Sequence, residues 1–294
     1  MKFQFGLLLP LACALLYVFG ALAVKRAAVL GVGVWRTGFL SNWAIAVFFV
    51  PVWFMSGGAP HSWADYGQPA TTALLFLGGQ VLMFGALGAG DVSVTTPVMG
   101  TKVILVALFS SVLHVGAVPL QWWVGAVLST AAIVLLHLGE GAKHRRVGRT
   151  VLLAFCSAAS FGLGDVFLQK WVPAWGPGNF FPPMFLLAAL FSCAFVPMFS
   201  APLTALDRRA WRWAAPAAVV LALNNAGIVL SIGLVGSATA VNIVYSLRGL
   251  FSVVLVWAVG HWFSSEEKHL AGSVFRNRLI GAGLMIAAIV LVLI

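Results

Sequence analysis

The segment Gly90-Asp-Val-Ser-Val-Thr-Thr-Pro-Val-Met-Gly-Thr-Lys102 has a counterpart 146 residues further on, Gly236-Ser-Ala-Thr-Ala-Val-Asn-Ile-Val-Tyr-Ser-Leu-Arg248. The shift pairs Gly90 with Gly236, Thr96 with Asn242, Lys102 with Arg248 and Leu108 with Val254. Each segment opens an apolar run that contains one basic residue. Each run is followed by a closing run of similar character, Trp123-Val-Gly125-Ala-Val-Leu and Leu279-Ile-Gly281-Ala-Gly-Leu. A chain that repeats such a unit has two related halves.

The rest of the chain completes both halves. Apolar runs lie near residues 5–24, 37–55, 70–89, 93–115 and 120–138, and again near 150–170, 182–202, 212–235, 237–260 and 277–294. A spanning helix needs about 20 apolar residues, and backbone inside lipid must be helical to satisfy its own hydrogen bonds. The expected fold is therefore an all-α membrane protein of ten transmembrane helices. Residues 1–140 form one five-helix repeat, 141–146 a basic linker and 147–294 the second repeat. Five is odd, so the second repeat enters the membrane inverted, an architecture of secondary transporters with a site at the midplane. Gly90-Asp-Val92 and Gly236 leave room only for tight hairpins.

Composition agrees. Of 294 residues, 62% are apolar and 8% charged, against roughly 25% charged in soluble domains. A water-soluble globule is excluded, and ten spans leave no room among these residues for an ATPase or receptor domain. The net charge of +10 is scattered over short loops, with no basic domain or aromatic platform to track nucleic acid. Cys13, Cys156 and Cys193 lie inside apolar runs at spacings that suit neither disulfides nor zinc. Lys2, the first apolar run and Ala21-Leu-Ala23 have the outline of a cleavable signal. Lys25 and Arg26 directly after it, and the repeat's need for a first helix, favour its retention.

Loop charge sets orientation. Odd-numbered loops carry Lys25, Arg26 and Arg36; Lys143, Arg145, Arg146 and Arg149; Arg208, Arg209 and Arg212; and Lys268, Arg276 and Arg278. Even-numbered loops carry only Lys170. This bias puts the odd loops in the cytoplasm and both termini outside.

The stretches Gly85-Ala-Leu-Gly-Ala-Gly-Asp-Val-Ser-Val-Thr-Thr-Pro97 and Gly233-Leu-Val-Gly-Ser-Ala-Thr-Ala-Val-Asn242, with the Gly281 helix, resemble the drug/metabolite transporter superfamily and its EamA-type proteins. The likeness runs over nearly the whole chain. It implies ten helices in two halves, and termini inside, against the charge bias. It also implies that Lys102 and Arg248 match basic residues that sugar-phosphate and nucleotide-sugar translocators use in their fourth and ninth helices. The chain departs from the family at His114-Val-Gly-Ala-Val-Pro119, where relatives often carry Glu. Only Glu266 and Glu267 occupy the later equivalent loop, and the loop after the second helix lacks its usual basic charge.

Lys102 and Arg248 fall near the middle of their runs, where an ionised side chain costs about 2.5–3.5 kcal/mol. One reading is a central cavity in which they receive an anion, Arg by a bidentate fork and Lys as a point charge. Another has Asp165 pairing one cation while the second snorkels, or both bonding backbone carbonyls, and a third gives the pair a gating role alone. Thr95, Met99 and Lys102 share one helical face, as do Tyr245, Arg248 and Ser252. Thr96 and Asn242 are further candidates, and Gln80, Asn224 and Asn225 either line a cavity or join helices through their amides. Tyr245 either donates to a solute oxygen or packs ordinarily. Asp165 is either a proton-coupling carboxylate or the partner of Lys170. His114 and His261 sit at helix ends, and Gly31-Val-Gly33 lacks the Lys-Ser/Thr of a nucleotide loop.

These features favour a secondary transporter in the cell membrane that moves a small organic metabolite, an anionic or phosphorylated solute foremost, as a monomer or homodimer. No cofactor, metal ligand set or catalytic group is expected. Export of amino acids or amphiphilic cations, with the basic pair structural, is the alternative. A membrane-embedded enzyme lacks a nucleophile–base pair at one depth.

Overall fold

A computed structural model describes residues 6–56, 62–89, 92–137, 147–259 and 272–294. Twelve α-helices lie among the described residues. They are α1 (Leu8–Val29), α2 (Val34–Met55), α3 (Gly67–Ala89), α4 (Val92–Gly100), α5 (Lys102–Val112) and α6 (Leu120–His137). Then follow α7 (Val147–Trp175), α8 (Pro177–Phe191), α9 (Arg208–Val235), α10 (Ala238–Tyr245), α11 (Arg248–Val259) and α12 (Gly272–Leu293). The basic linker at 141–146, Asp91, His261, Glu266, Glu267 and the first five residues lie outside the described residues.

Among the described residues, seven helices are long and apolar enough to cross a bilayer. These are α1, α2, α3, α7 and α9, the α4–α5 pair over Val94–Val112, and α8 with its 3₁₀ extension to Met198. Leu120–Leu136 and Leu279–Leu293 supply shorter apolar helices. The molecule is an all-helical bundle of the multi-pass membrane kind.

The fourth and ninth runs are each broken in two. Pro97 lies inside α4 and has no N–H to donate. At Thr101 the amide bonds back three residues to the Val98 carbonyl, 3.0 Å away. The Gly100 carbonyl accepts from Thr130 Oγ1 of α6 at 3.2 Å. Between α10 and α11 the same tightening occurs, with Leu247 N donating to Val244 O and Gly249 N to Ser246 O, at 3.2 and 3.0 Å. Each break directly precedes a cation, so Lys102 and Arg248 both open a half-helix.

Gly236 closes α9 in the left-handed conformation (φ 70°), and Ser237 then caps α10, its Oγ accepting from Ala240 N at 3.2 Å. Only glycine takes that backbone shape without strain, so α9 turns straight into α10.

Long interfaces join α3 to α7, α1 to α9, α6 to α12 and α2 to α8. Numbered by apolar run, these are 3–6, 1–8, 5–10 and 2–7. Exchanging each run with the one five places away swaps the first two pairs and leaves the others unchanged. At the α6–α12 interface a methyl on Gly125 would lie 3.2 Å from the Ala288 carbonyl, and one on Gly281 3.0 Å from the Ala132 carbonyl. Gly125 to Gly281 and Ala132 to Ala288 are the same 156-residue step. The contact is reciprocal.

Candidate functional site

The two repeated cations have unlike partners. Lys102 Nζ, from the first turn of α5, lies 2.7 Å from Asp165 Oδ2 of α7. Asn242 Nδ2 of α10 donates to the same oxygen at 2.7 Å and to its own helix at Ala238 O. Phe161, one turn before Asp165, places its ring 5.9 Å from Lys102 Nζ. Asp165 is 8% exposed and Asn242 3%, so this is a buried, largely satisfied ion pair. Asp165 therefore pairs with Lys102 and not with Lys170.

Arg248 is half-buried and has no carboxylate within ion-pair distance among the described residues. Its guanidinium lies over two aromatic rings, 5.0 Å from the centroid of Tyr17 (α1) and 4.5 Å from that of Tyr245 (α10). The two rings meet edge to face at 6.2 Å. Tyr245 Oη and the Asn224 amide of α9 exchange hydrogen bonds at 3.0 and 3.3 Å. The ring quadrupoles stabilise the cation, and the Tyr245 side chain also hydrogen-bonds it. Asn242 and Tyr245 are three residues apart on α10 and so share a helix face. That turn joins the Lys102–Asp165 pair to the Arg248 cluster.

With Lys102 neutralised, the net positive charge of the combined cluster resides on Arg248. A guanidinium with no carboxylate within ion-pair distance among the described residues suits one carboxylate or one phosphate oxygen pair.

The other expected residues are placed as follows. Gln80 lies elsewhere: its amide and that of Asn42 on α2 exchange two hydrogen bonds, both 3.0 Å, which makes it an α2–α3 fastening. Ser252 Oγ donates within α11 to Gly249 O at 2.7 Å. Thr95 is buried on α4, and Thr96, Met99 and Asn225 are half-buried.

Tyr17, Asn42 and Phe161 were absent from the expected set. Tyr17 had a signal in composition, since the chain holds three tyrosines and two of them meet Arg248. Asn42 was the lone amide in its apolar run.

Two ends of the bundle differ. At the even-loop end, Gln169 of α7 donates from Nε2 to Val115 O (3.0 Å) and accepts from Ala238 N (2.8 Å), tying the chain after α5 to the start of α10. Trp175 Nε1, further along α7, donates to Gln68 Oε1 of α3 at 2.9 Å. At the odd-loop end two cavities open. One, about 420 Å³, is lined by Gly31, Arg36, Ser200 and Asp207 among others. The other, about 360 Å³, is lined by Arg26, Arg209, Arg212 and Trp213. Neither is lined by Lys102 or Arg248. Arg36 bridges the first of them, donating to the Gly31 carbonyl and, at 2.7 Å, to Ser200 Oγ.

No protein-family model and no curated protein matches the chain. A solved crystal structure, described in words only as that of a protein, superimposes with a TM-score of 0.78, covering 98% of this chain and 98% of its own at 16% identity. At that identity the likeness concerns the fold alone.

Proposed function

We propose that this chain is a secondary transporter of the drug/metabolite, EamA-like kind, which moves a small organic anion by alternating access between two inverted five-helix halves. The observation that carries the reading is Arg248: a cation at the start of a half-helix, half-buried, stacked on Tyr17 and Tyr245 and not neutralised by a carboxylate among the described residues. A cation is costly at such depth, and a mobile anion supplies the missing counter-charge. The matched breaks before Lys102 and Arg248, and the reciprocal Gly125 and Gly281 contacts, support the inverted halves. In this reading Tyr245 and Asn224 shape the Arg248 pocket, Asp165 holds Lys102, and exchange or an ion gradient supplies the energy.

The test is uptake into reconstituted vesicles of a labelled monocarboxylate and a labelled phosphate ester. Arg248→Gln should abolish uptake of whichever solute the parent moves. If Arg248→Gln and Lys102→Ala both transport every solute like the parent, the anion reading fails.

The Lys102–Asp165 bridge favours one element of a second reading, in which basic residues are structural and the solute is an amino acid or amphiphile. Uptake of a neutral amphiphile by the parent and by Arg248→Gln alike would select it.

A further inference from the structure

We propose that the cavity at the end of the α1–α9 pair binds the headgroup phosphate of an acidic phospholipid. Three arginines from two helices line it: Arg26 in the last turn of α1, and Arg209 and Arg212, three residues apart, in the first turns of α9. They line a space of about 360 Å³ with Trp213 and, among the described residues, no carboxylate. The nearby Asp207 lines the neighbouring cavity, and its Oδ1 is engaged by Ala210 N at 2.6 Å. Arg forks fit phosphate oxygens in pairs, and basic pockets between helices at the membrane boundary suit such headgroups.

A lipid is favoured over a soluble phosphate by what lies beneath the cavity. Arg212, Pro216, Val219 and Leu223 recur at one helical face, and all four are exposed. The face continues from a charged end into an apolar strip, the order of groups in a phospholipid. The indole of Trp213 at that boundary fits the interfacial preference of tryptophan.

Occupancy bears on the central cluster. α1 and α9 pack closely, since a methyl on Gly20 would meet Val220 Cγ1 at 3.1 Å and one on Gly227 would collide with Cys13 Sγ. The same two helices carry Tyr17 and Asn224, which flank Arg248 and Tyr245. A phosphate held by both helix ends keeps these two walls in register. The lipid site stands whether or not the transport reading does, because its test measures binding.

The experiment is native mass spectrometry of the full-length protein, delipidated in detergent and titrated with phosphatidylglycerol or phosphatidylcholine. The parent should retain phosphatidylglycerol preferentially. The triple variant Arg26→Gln/Arg209→Gln/Arg212→Gln should lose affinity roughly hundredfold, and exposed Arg209→Gln alone about fivefold. A control of equal charge loss, Arg145→Gln/Arg146→Gln/Arg149→Gln, should bind like the parent. Phosphatidylglycerol should also raise the melting temperature of the parent more than that of Arg209→Gln. Equal retention of both lipids, or an equal loss in the control, would overturn the proposal. Displacement of the lipid by millimolar inorganic phosphate would overturn it in favour of a soluble-anion site.

Discussion

Lys102 Nζ sits 2.7 Å from Asp165 Oδ2 across the α5–α7 interface. Removing one member leaves the other charge largely buried, with a typical cost of about 3–5 kcal/mol. Asp165→Asn and Lys102→Met should each lower the thermal unfolding temperature strongly, and Lys102→Met/Asp165→Asn should be less destabilised than either. Additive losses in that double-mutant cycle would show that the two side chains act independently.

Tyr17 offers Arg248 a ring face. Tyr17→Phe keeps the ring and should leave anion uptake and stability near parental values. Tyr17→Leu should cost about 0.5–2 kcal/mol and raise the apparent KM. Equal damage from both changes would assign the contribution to the hydroxyl.

Gly125 and Gly281 each face a carbonyl across the α6–α12 interface. Gly125→Val and Gly281→Val should both destabilise, by about 1–3 kcal/mol each, as measured by thermal unfolding in detergent. A harmless change at either position would break the equivalence drawn from the 156-residue step.

Orientation is testable with single cysteines in a background lacking Cys13, Cys156 and Cys193. Thr204, exposed between α8 and α9, lies in an odd-numbered basic loop, and Trp63, 92% exposed, lies in an even-numbered one. In intact cells Trp63→Cys should react with an impermeant thiol reagent and Thr204→Cys should not. The reverse pattern would put the termini inside, as the family resemblance implies.

His114 follows α5 with φ 51°, a left-handed conformation unusual for a residue with a side chain. His114→Gly should relieve about 1–2 kcal/mol and raise the melting temperature. A fall would show that the imidazole makes a contact worth more than the strain.

The helical, multi-pass character was legible because the expected apolar runs carry helices, seven of them among the described residues long enough to cross a bilayer: 150–170 lies in Val147–Trp175, and 37–55 in Val34–Met55. Hydropathy reports burial in lipid whatever the neighbours do. The breaks at Thr101 and Ser246–Leu247 were not legible, since neither hydropathy nor composition changes there and only Pro97 hinted at the first. Partnerships were the least accessible part. Asp165 joins Lys102 instead of its near neighbour Lys170, because helix packing across the bundle outweighs nearness in sequence. Gln80 was a cavity candidate until its reciprocal bonds to Asn42 made it a fastening, the commoner fate of an amide among helices. Lys102, Arg248, Tyr245, Asn242, Asn224 and Asp165 were all named from residue type and depth, whereas Tyr17 comes from a distant helix and needed the fold.

Gln169 uses both ends of one amide, grasping the chain that leaves α5 and the amide that begins α10. A bundle that parts its helices at that end must release both grips together, so the side chain works as a single rivet. Shortening it by one methylene, as in Gln169→Asn, would loosen one grip or both.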